Sequence, residues 1–230
     1  MYIAGLRLPY DLPITHENGV ESIVVLTTLA LTFKVLRHIK VGTAKAKAEA
    51  GEIKSMPRSP WGVRATYLHA IAAFVPTLVY TGAVALNGFA QPTWMEDFGF
   101  SQSISVGEKA GLRTIACIAN LGLWKLWDGV YKHIGTQLAP IGVREKPRLV
   151  KTGPYGYVRH PIYSLVLVQE LLFSVMFWSW IPLAACGVIA IAFAVKIPIE
   201  EQTILEDPTI GPAYKEYKSQ VTSRILPGVW

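Results

Sequence analysis

Charge is scarce in this chain. Only 17% of its 230 residues are Asp, Glu, Lys or Arg, whereas a typical soluble domain carries about 25%. With 51% hydrophobic residues, that shortfall argues against an ordinary water-soluble domain. Cysteine is scarcer still. Cys117 and Cys186 are the only two, and both lie inside apolar runs. They read as buried thiols rather than a disulfide framework, and no metal-ligand cluster surrounds them. Residues 1–21 lack the basic start and long apolar core of a signal peptide and carry prolines and acidic residues instead. The apolar run that follows can act as a signal anchor. Internal repeats, low-complexity tracts and the alternating pattern of a membrane barrel are also missing.

What the chain does have is apolar length. A membrane-spanning helix needs about 20 mostly apolar residues, and residues 21–38, 65–86, 110–131, 162–178 and 181–197 qualify as candidate spans. The last two are separated only by Ser179 and Trp180, which points to a helical hairpin. A helix satisfies its own backbone hydrogen bonds in lipid, so the expected fold is all-α: a polytopic membrane bundle of about five helices with a C-terminal cytosolic helical tail.

The placement of the net charge of +6 sets the orientation. Lys40, Lys45, Lys47, Lys54 and Arg58 fall between the first two spans. Lys132, Arg144, Lys146, Arg148, Lys151 and Arg159 fall between the third and fourth, while Glu96, Asp97 and Glu108 dominate the second loop. Basic loops stay in the cytoplasm, so the first and third loops and the C-terminus are expected there. A basic patch can also serve nucleic acid, but here it flanks spans with the alternation of a membrane protein, and no nucleic-acid partner is expected. The stretch 44–54, AKAKAEAGEIK, is compatible with a short surface helix, but a solvated connector is the stronger reading.

Several polar residues lie within the spans. Arg113, Asn120, Lys125 and Asp128 share the third. Their structural reading is the stronger one, because Lys125 and Asp128 are spaced to pair on one helical face and the long side chains sit near the ends. Glu170, beside Gln169, lies midway along the fourth span, where a carboxylate must face the bundle interior, for a structural bond or for a pocket.

The densest chemistry is TGPYGYVRHPIYS, residues 152–164. Gly153-Pro154 marks a turn. Pro161 suits the first position of a helix, which puts His160 at the cap and Tyr163 in the first turn. The unpaired N–H groups there favour an anion. Tyr155 and Tyr157 suit a membrane interface. After the hairpin come Glu200 and Glu201, which the hairpin returns towards His160 and Tyr163. Tyr214 and Tyr217 follow at helical spacing, then Val221, Arg224 and Pro227.

In these residues the chain resembles the isoprenylcysteine carboxyl methyltransferase family. The matching elements are Leu149-Val150, Gly153-Pro154-Tyr155, Tyr157-Val158-Arg159-His160-Pro161-Ile162-Tyr163, Lys196 before Glu200-Glu201, Ile210-Gly211 with Tyr214 and Tyr217, and Arg224 through Pro227. They span roughly the C-terminal hundred residues. The resemblance implies an S-adenosylmethionine-dependent membrane enzyme with a cytosol-accessible cofactor pocket and a lipid-like or prenylated substrate entering from the bilayer. It nominates Leu149, Val150, Tyr155, His160, Pro161, Ile162, Tyr163, Glu200 and Glu201 for the cofactor, and Lys196 and Arg224 for the substrate. The chain then divides into an N-terminal three-span region, 1–131, and a methyltransferase-like region, 132–230. Three positions depart from the family pattern: Pro147 where histidine is frequent, Lys196 where arginine is common, and Gln220 at a spot often basic. Residues 206–209 look like a small insertion.

A carboxylate acceptor is already ionised at neutral pH, so methyl transfer to it needs alignment and desolvation rather than a general base, and none is assigned. The expected reaction is transfer to the C-terminal carboxylate of a prenylated cysteine, in protein or small-molecule form. The expected location is the endoplasmic reticulum membrane, with the cofactor site and C-terminus cytosolic. Three alternatives stand beside it: an N-methyltransferase of phospholipid or small amines, which would need a base; an NADPH-dependent sterol reductase with a related hairpin; and a non-catalytic membrane scaffold.

Overall fold

The structure is a computed structural model describing residues 2–3, 6–7, 16–100 and 103–230. Most of the reading of residues 1–21 falls outside the described residues. There, Tyr2–Ile3 (β1) and Leu6–Arg7 (β2) pair antiparallel.

The apolar runs form helices, and the helices are longer than the runs. His16–Ala50 (α1) carries on through the Ala/Lys/Glu segment expected to be a connector. Those residues are strong helix formers, so nothing stops the helix until Gly51, whose φ of 78° is the left-handed conformation that ends helices. The connector proper is short. Ile53–Ser55 (β3) follows, and Pro60–Leu86 (α2) begins on its proline. Val106–Ile134 (α3) comes next, then Val143–Arg144 (β4). β4 pairs antiparallel with β3, Ile53 opposite Arg144.

Pro161–Phe177 (α4) and Trp180–Leu205 (α5) make the expected hairpin, joined by Trp178 and Ser179 alone. α5 runs through Pro198, which leaves the Ala194 carbonyl without its helical donor. Glu200 and Glu201 therefore sit on the last turns of a helix rather than beyond it. Gly211–Gln220 (α6) is the helical tail. Three helices, α1, α2 and α5, are long and apolar enough to cross a membrane, and α4 is a shorter apolar helix. The chain is a helical membrane protein.

Contacts divide the chain into two compact units. The first holds residues 1–33, 72–124 and 168–187; the second holds 34–71, 125–167 and 188–230. In the first, Arg113 pairs with Glu21 at 2.5 Å, both side chains almost fully buried. The Tyr80 hydroxyl donates to Glu21, and Arg113 Nε donates to the Met176 carbonyl at 2.7 Å. Gln91 Nε2 donates to Glu21 at 3.0 Å and to the Phe177 carbonyl at 3.2 Å. Arg113 thus has the structural role expected of it, but buried against Glu21 rather than reaching outwards from the span end. Glu170 is 3% exposed, and its Oε2 has no hydrogen-bond partner among the described residues. In the second unit, Asp128 lies 3.2 Å from His38 Nε2. The partner of Asp128 is on α1 rather than Lys125 on its own helix.

Candidate functional site

The site residues lie in the second unit, around the start of α4. His160 behaves as a cap: its carbonyl accepts from the N–H groups of Tyr163 at 3.0 Å and Ser164 at 3.3 Å. Its own N–H donates to the Arg224 carbonyl at 2.8 Å. The row of free donors expected at this helix start is therefore largely consumed, and the anion-binding capacity shifts to side chains.

The C-terminal segment is strapped across this junction. Arg159 N–H donates to the Ser223 carbonyl at 3.0 Å, and Ser164 Oγ donates to the Ile225 carbonyl at 2.7 Å. The Arg159 guanidinium donates to the carbonyls of Val221 at 2.5 Å and Thr222 at 2.7 Å. Tyr217 on α6 donates its hydroxyl to the Tyr155 carbonyl at 2.6 Å. Burial pushes the Tyr217 phenol up to about 12 and raises those of Tyr155 and Tyr214 further. All three stay neutral across physiological pH and act as packing and hydrogen-bonding groups.

The two adjacent carboxylates on α5 meet different partners. Glu201, 1% exposed, accepts from Arg159 Nε at 2.7 Å and lies 3.4 Å from His160 Nε2, 3.3 Å from Lys218 Nζ and 3.4 Å from Arg224. Glu200, half-buried, accepts the Tyr163 hydroxyl at 2.7 Å and makes no ion pair among the described residues. Tyr163 lies parallel to His160 at 5.3 Å and to Phe193 at 4.3 Å.

Lys196 is 2% exposed. Its Nζ lies 4.8 Å over the Tyr163 ring, and no carboxylate is within ion-pairing reach among the described residues. Arg224 stacks on Trp230 at 5.1 Å, and its buried Nε has no hydrogen-bond partner among the described residues. The cluster thus holds one accessible carboxylate and two cationic groups with unused capacity.

The structure brings together Tyr155, His160, Tyr163, Lys196, Glu200, Glu201 and Arg224. Pro161 is buried and Ile162 half-buried at the helix start. Leu149 and Val150 are half-buried in the loop ahead of the Gly153–Gly156 turn, and no hydrogen bond of theirs reaches the cluster. Two participants escaped the sequence reading. Arg159, first seen as a basic flank, is a buried anchor, and its place inside the motif was the available signal. His69 on α2 packs against Phe193 at 5.1 Å and Tyr163 at 6.4 Å. Nothing in its apolar surroundings marked it.

A membrane helical hairpin with a carboxylate outside any ion pair and one unanswered lysine at its base, among the described residues, suits a membrane protein that handles a charged group. Comparison with known proteins makes this particular. Residues 128–206 match the model of the isoprenylcysteine carboxyl methyltransferase family. The chain is 30% identical over 159 residues to protein-S-isoprenylcysteine O-methyltransferase B of Arabidopsis thaliana, covering 68% of this chain and 73% of that protein. It is 27% identical over 155 residues to the cobalt-zinc-cadmium resistance protein CzcN of Cupriavidus metallidurans, covering 54% of this chain and 69% of that one. The chain belongs to the isoprenylcysteine carboxyl methyltransferase family and is a methyltransferase.

Proposed function

We propose that the chain transfers a methyl group from S-adenosylmethionine to the C-terminal carboxylate of a prenylated cysteine. The observation that carries this reading is the pairing of Glu200, engaged only by Tyr163, with Lys196, a buried cation that no carboxylate answers. The cofactor has an α-ammonium and an α-carboxylate. Glu200 fits the first and the orphaned Nε of Arg224 fits the second. Lys196 is then left for the acceptor, and an unpaired buried ammonium gains from an anion whichever way it arrives.

Held there, S-adenosylmethionine would supply an electrophilic sulfonium methyl for in-line displacement by the acceptor oxygen, with a neutral thioether as the leaving group. Tyr163 fixes the Glu200 carboxylate. Glu201, engaged by Arg159, Lys218, Arg224 and the His160 ring, ties α4, α5, α6 and the C-terminal segment into one frame. Lys196 holds the acceptor carboxylate in a place poor in water, where alignment supplies most of the acceleration. No side chain needs to take a proton. Tyr155, His160, Pro161, Ile162, Leu149 and Val150 form the remaining wall for the cofactor, and residues 132–230 carry the chemistry while 1–131 supply the other spans. The reading sets the site and the C-terminus on the cytosolic side of the endoplasmic reticulum membrane, an orientation that the basic first and third loops support.

The test is methyl transfer to an S-prenylcysteine derivative with labelled cofactor. The expected label is released by mild alkali, as from an ester; an alkali-stable label means N-methylation and overturns the reading. Lys196→Met is expected to lower kcat/KM for the acceptor roughly 10–100-fold, the scale of a lost charged hydrogen bond, without weakening cofactor binding.

A further inference from the structure

The first unit holds a cavity that the proposed chemistry does not use. It encloses about 50 Å³, room for more than a single water. Its apolar walls are Pro76 and Val79 of α2, Met95 of the segment between α2 and α3, Phe177 of α4, and Ile181 and Pro182 in the first turn of α5. Glu200 and Glu201 stand at the other end of α5. Val79 is 50% exposed and belongs to a helix long and apolar enough to cross a membrane. The open side of the cavity therefore faces lipid.

Tyr80, Gln91 and Ser179 bring hydroxyl and amide groups to the lining, and their donors are spent. The Tyr80 hydroxyl donates to Glu21, and Ser179 Oγ donates to the Phe98 carbonyl at 3.1 Å. Gln91 Nε2 donates to Glu21 at 3.0 Å and to the Phe177 carbonyl at 3.2 Å. A carboxylate paired with Arg113 and a carbonyl only accept, so the amide orientation is fixed. Gln91 Oε1 is the end left over, and it accepts no hydrogen bond among the described residues.

The cavity thus offers one unused acceptor among apolar walls, and no ionised side chain lines it. A charged headgroup would be buried there without a counter-charge. An amide would bring a donor for Gln91 but also a carbonyl, which the engaged donors cannot answer. A hydroxyl answers Oε1 with its O–H, and the chain behind it covers the apolar walls. We propose that this cavity is a second ligand site, which takes the hydroxyl end of a neutral, single-chain lipid alcohol from the bilayer, with Gln91 as its acceptor. The proposal does not depend on the carboxyl-methylating reading.

The test places the purified full chain in phosphatidylcholine vesicles with a long-chain primary alcohol that carries a diazirine close to its hydroxyl. After irradiation, label mapped by mass spectrometry is expected on residues 91–95 and 181–182. The unlabelled alcohol is expected to displace the probe about tenfold better than its methyl ether, which cannot donate, the factor for one hydrogen bond left unmade. An alkyl phosphate of the same length displaces it less well than the alcohol. Gln91→Met removes the preference for alcohol over ether, and Val79→Trp, which fills the cavity from its open side, removes the label from both segments. Equal displacement by alcohol and ether in wild type overturns the proposal even if neither variant folds. Label spread evenly over the exposed faces of α1, α2 and α5 means surface lipid only and overturns it too. Displacement by an S-prenylcysteine derivative as effective as by the alcohol assigns the cavity to the methyl acceptor and removes the second site. Localised label with the alcohol preference, in a protein that transfers no methyl group, supports this site and overturns the proposed reaction alone.

Discussion

Glu200 and Glu201 stand on neighbouring positions of α5, about 100° apart around the helix, and that angle separates their roles. Glu201 faces Arg159, a side chain 3% exposed whose Nη1 donates to the carbonyls of Val221 and Thr222. Removing the Glu201 carboxylate leaves that guanidinium buried without its counter-charge. Glu201→Ala is therefore expected to destabilise the protein by about 3–5 kcal/mol, read as a lower unfolding midpoint in detergent. Glu200→Ala loses only the Tyr163 hydrogen bond, about 1 kcal/mol, but is expected to weaken S-adenosylmethionine binding at least about tenfold. A Glu201→Ala protein as stable as wild type would show that the ion cluster does not hold the frame. The adjacency of the pair was legible in the chain, and so was their return towards His160 and Tyr163. Which carboxylate meets which partner depends on helical phase and on the path of the C-terminal segment, and no local pattern encodes either.

At the scale of elements, apolar runs located the helices but misjudged their ends. Hydrophobic length reports the thickness to be crossed, while helix length also depends on what flanks the run. α1 continues to Ala50 because Ala, Lys and Glu propagate it, and α5 carries its two glutamates as part of the helix to Leu205. The segment expected as an insertion, 206–209, is a built corner. Asp207 Oδ1 accepts from the N–H groups of Thr209 at 2.9 Å and Ile210 at 3.3 Å, and Oδ2 lies 3.0 Å from Lys54 Nζ. Burial pushes the Asp207 carboxyl up, but the Lys54 ammonium and the two N–H donors outweigh it and hold the pKa below its ordinary value. A depressed folded-state pKa means that the corner's contribution is fully present above the unfolded value, about 3.9, and is lost as pH falls through the folded one. Wild-type stability is thus expected to drop between roughly pH 5 and the folded pKa of Asp207. Asp207→Asn should start lower at neutral pH and lose less over that window. Parallel acid limbs in the two unfolding curves would remove Asp207 from the account.

For the whole molecule, the helical membrane class was legible because charge is sparse and apolar runs are long. His69 was not, because its meaning depends on a helix far away in sequence, around Phe193 and Lys196. The connections between helices pair with one another inside each unit. β3, between α1 and α2, pairs with β4, between α3 and α4. Ser179 Oγ, in the α4–α5 turn, donates to the Phe98 carbonyl at 3.1 Å, and Phe100 N–H, on the segment between α2 and α3, donates to the Trp178 carbonyl at 3.2 Å. Within each unit, then, a connection meets the one two positions along the chain. The expectation of five crossings with the lysine-rich first and third connections in the cytoplasm is open to cysteine labelling. With Cys117 and Cys186 replaced by alanine, a single cysteine introduced as Lys151→Cys or Lys215→Cys, both exposed positions, is expected to react with an impermeant thiol reagent only from the cytosolic side. One introduced as Asp97→Cys, also exposed, should react only from the opposite side. Labelling of Asp97→Cys and Lys151→Cys from the same face would mean that α3 does not cross, because it is the only α-helix between them among the described residues.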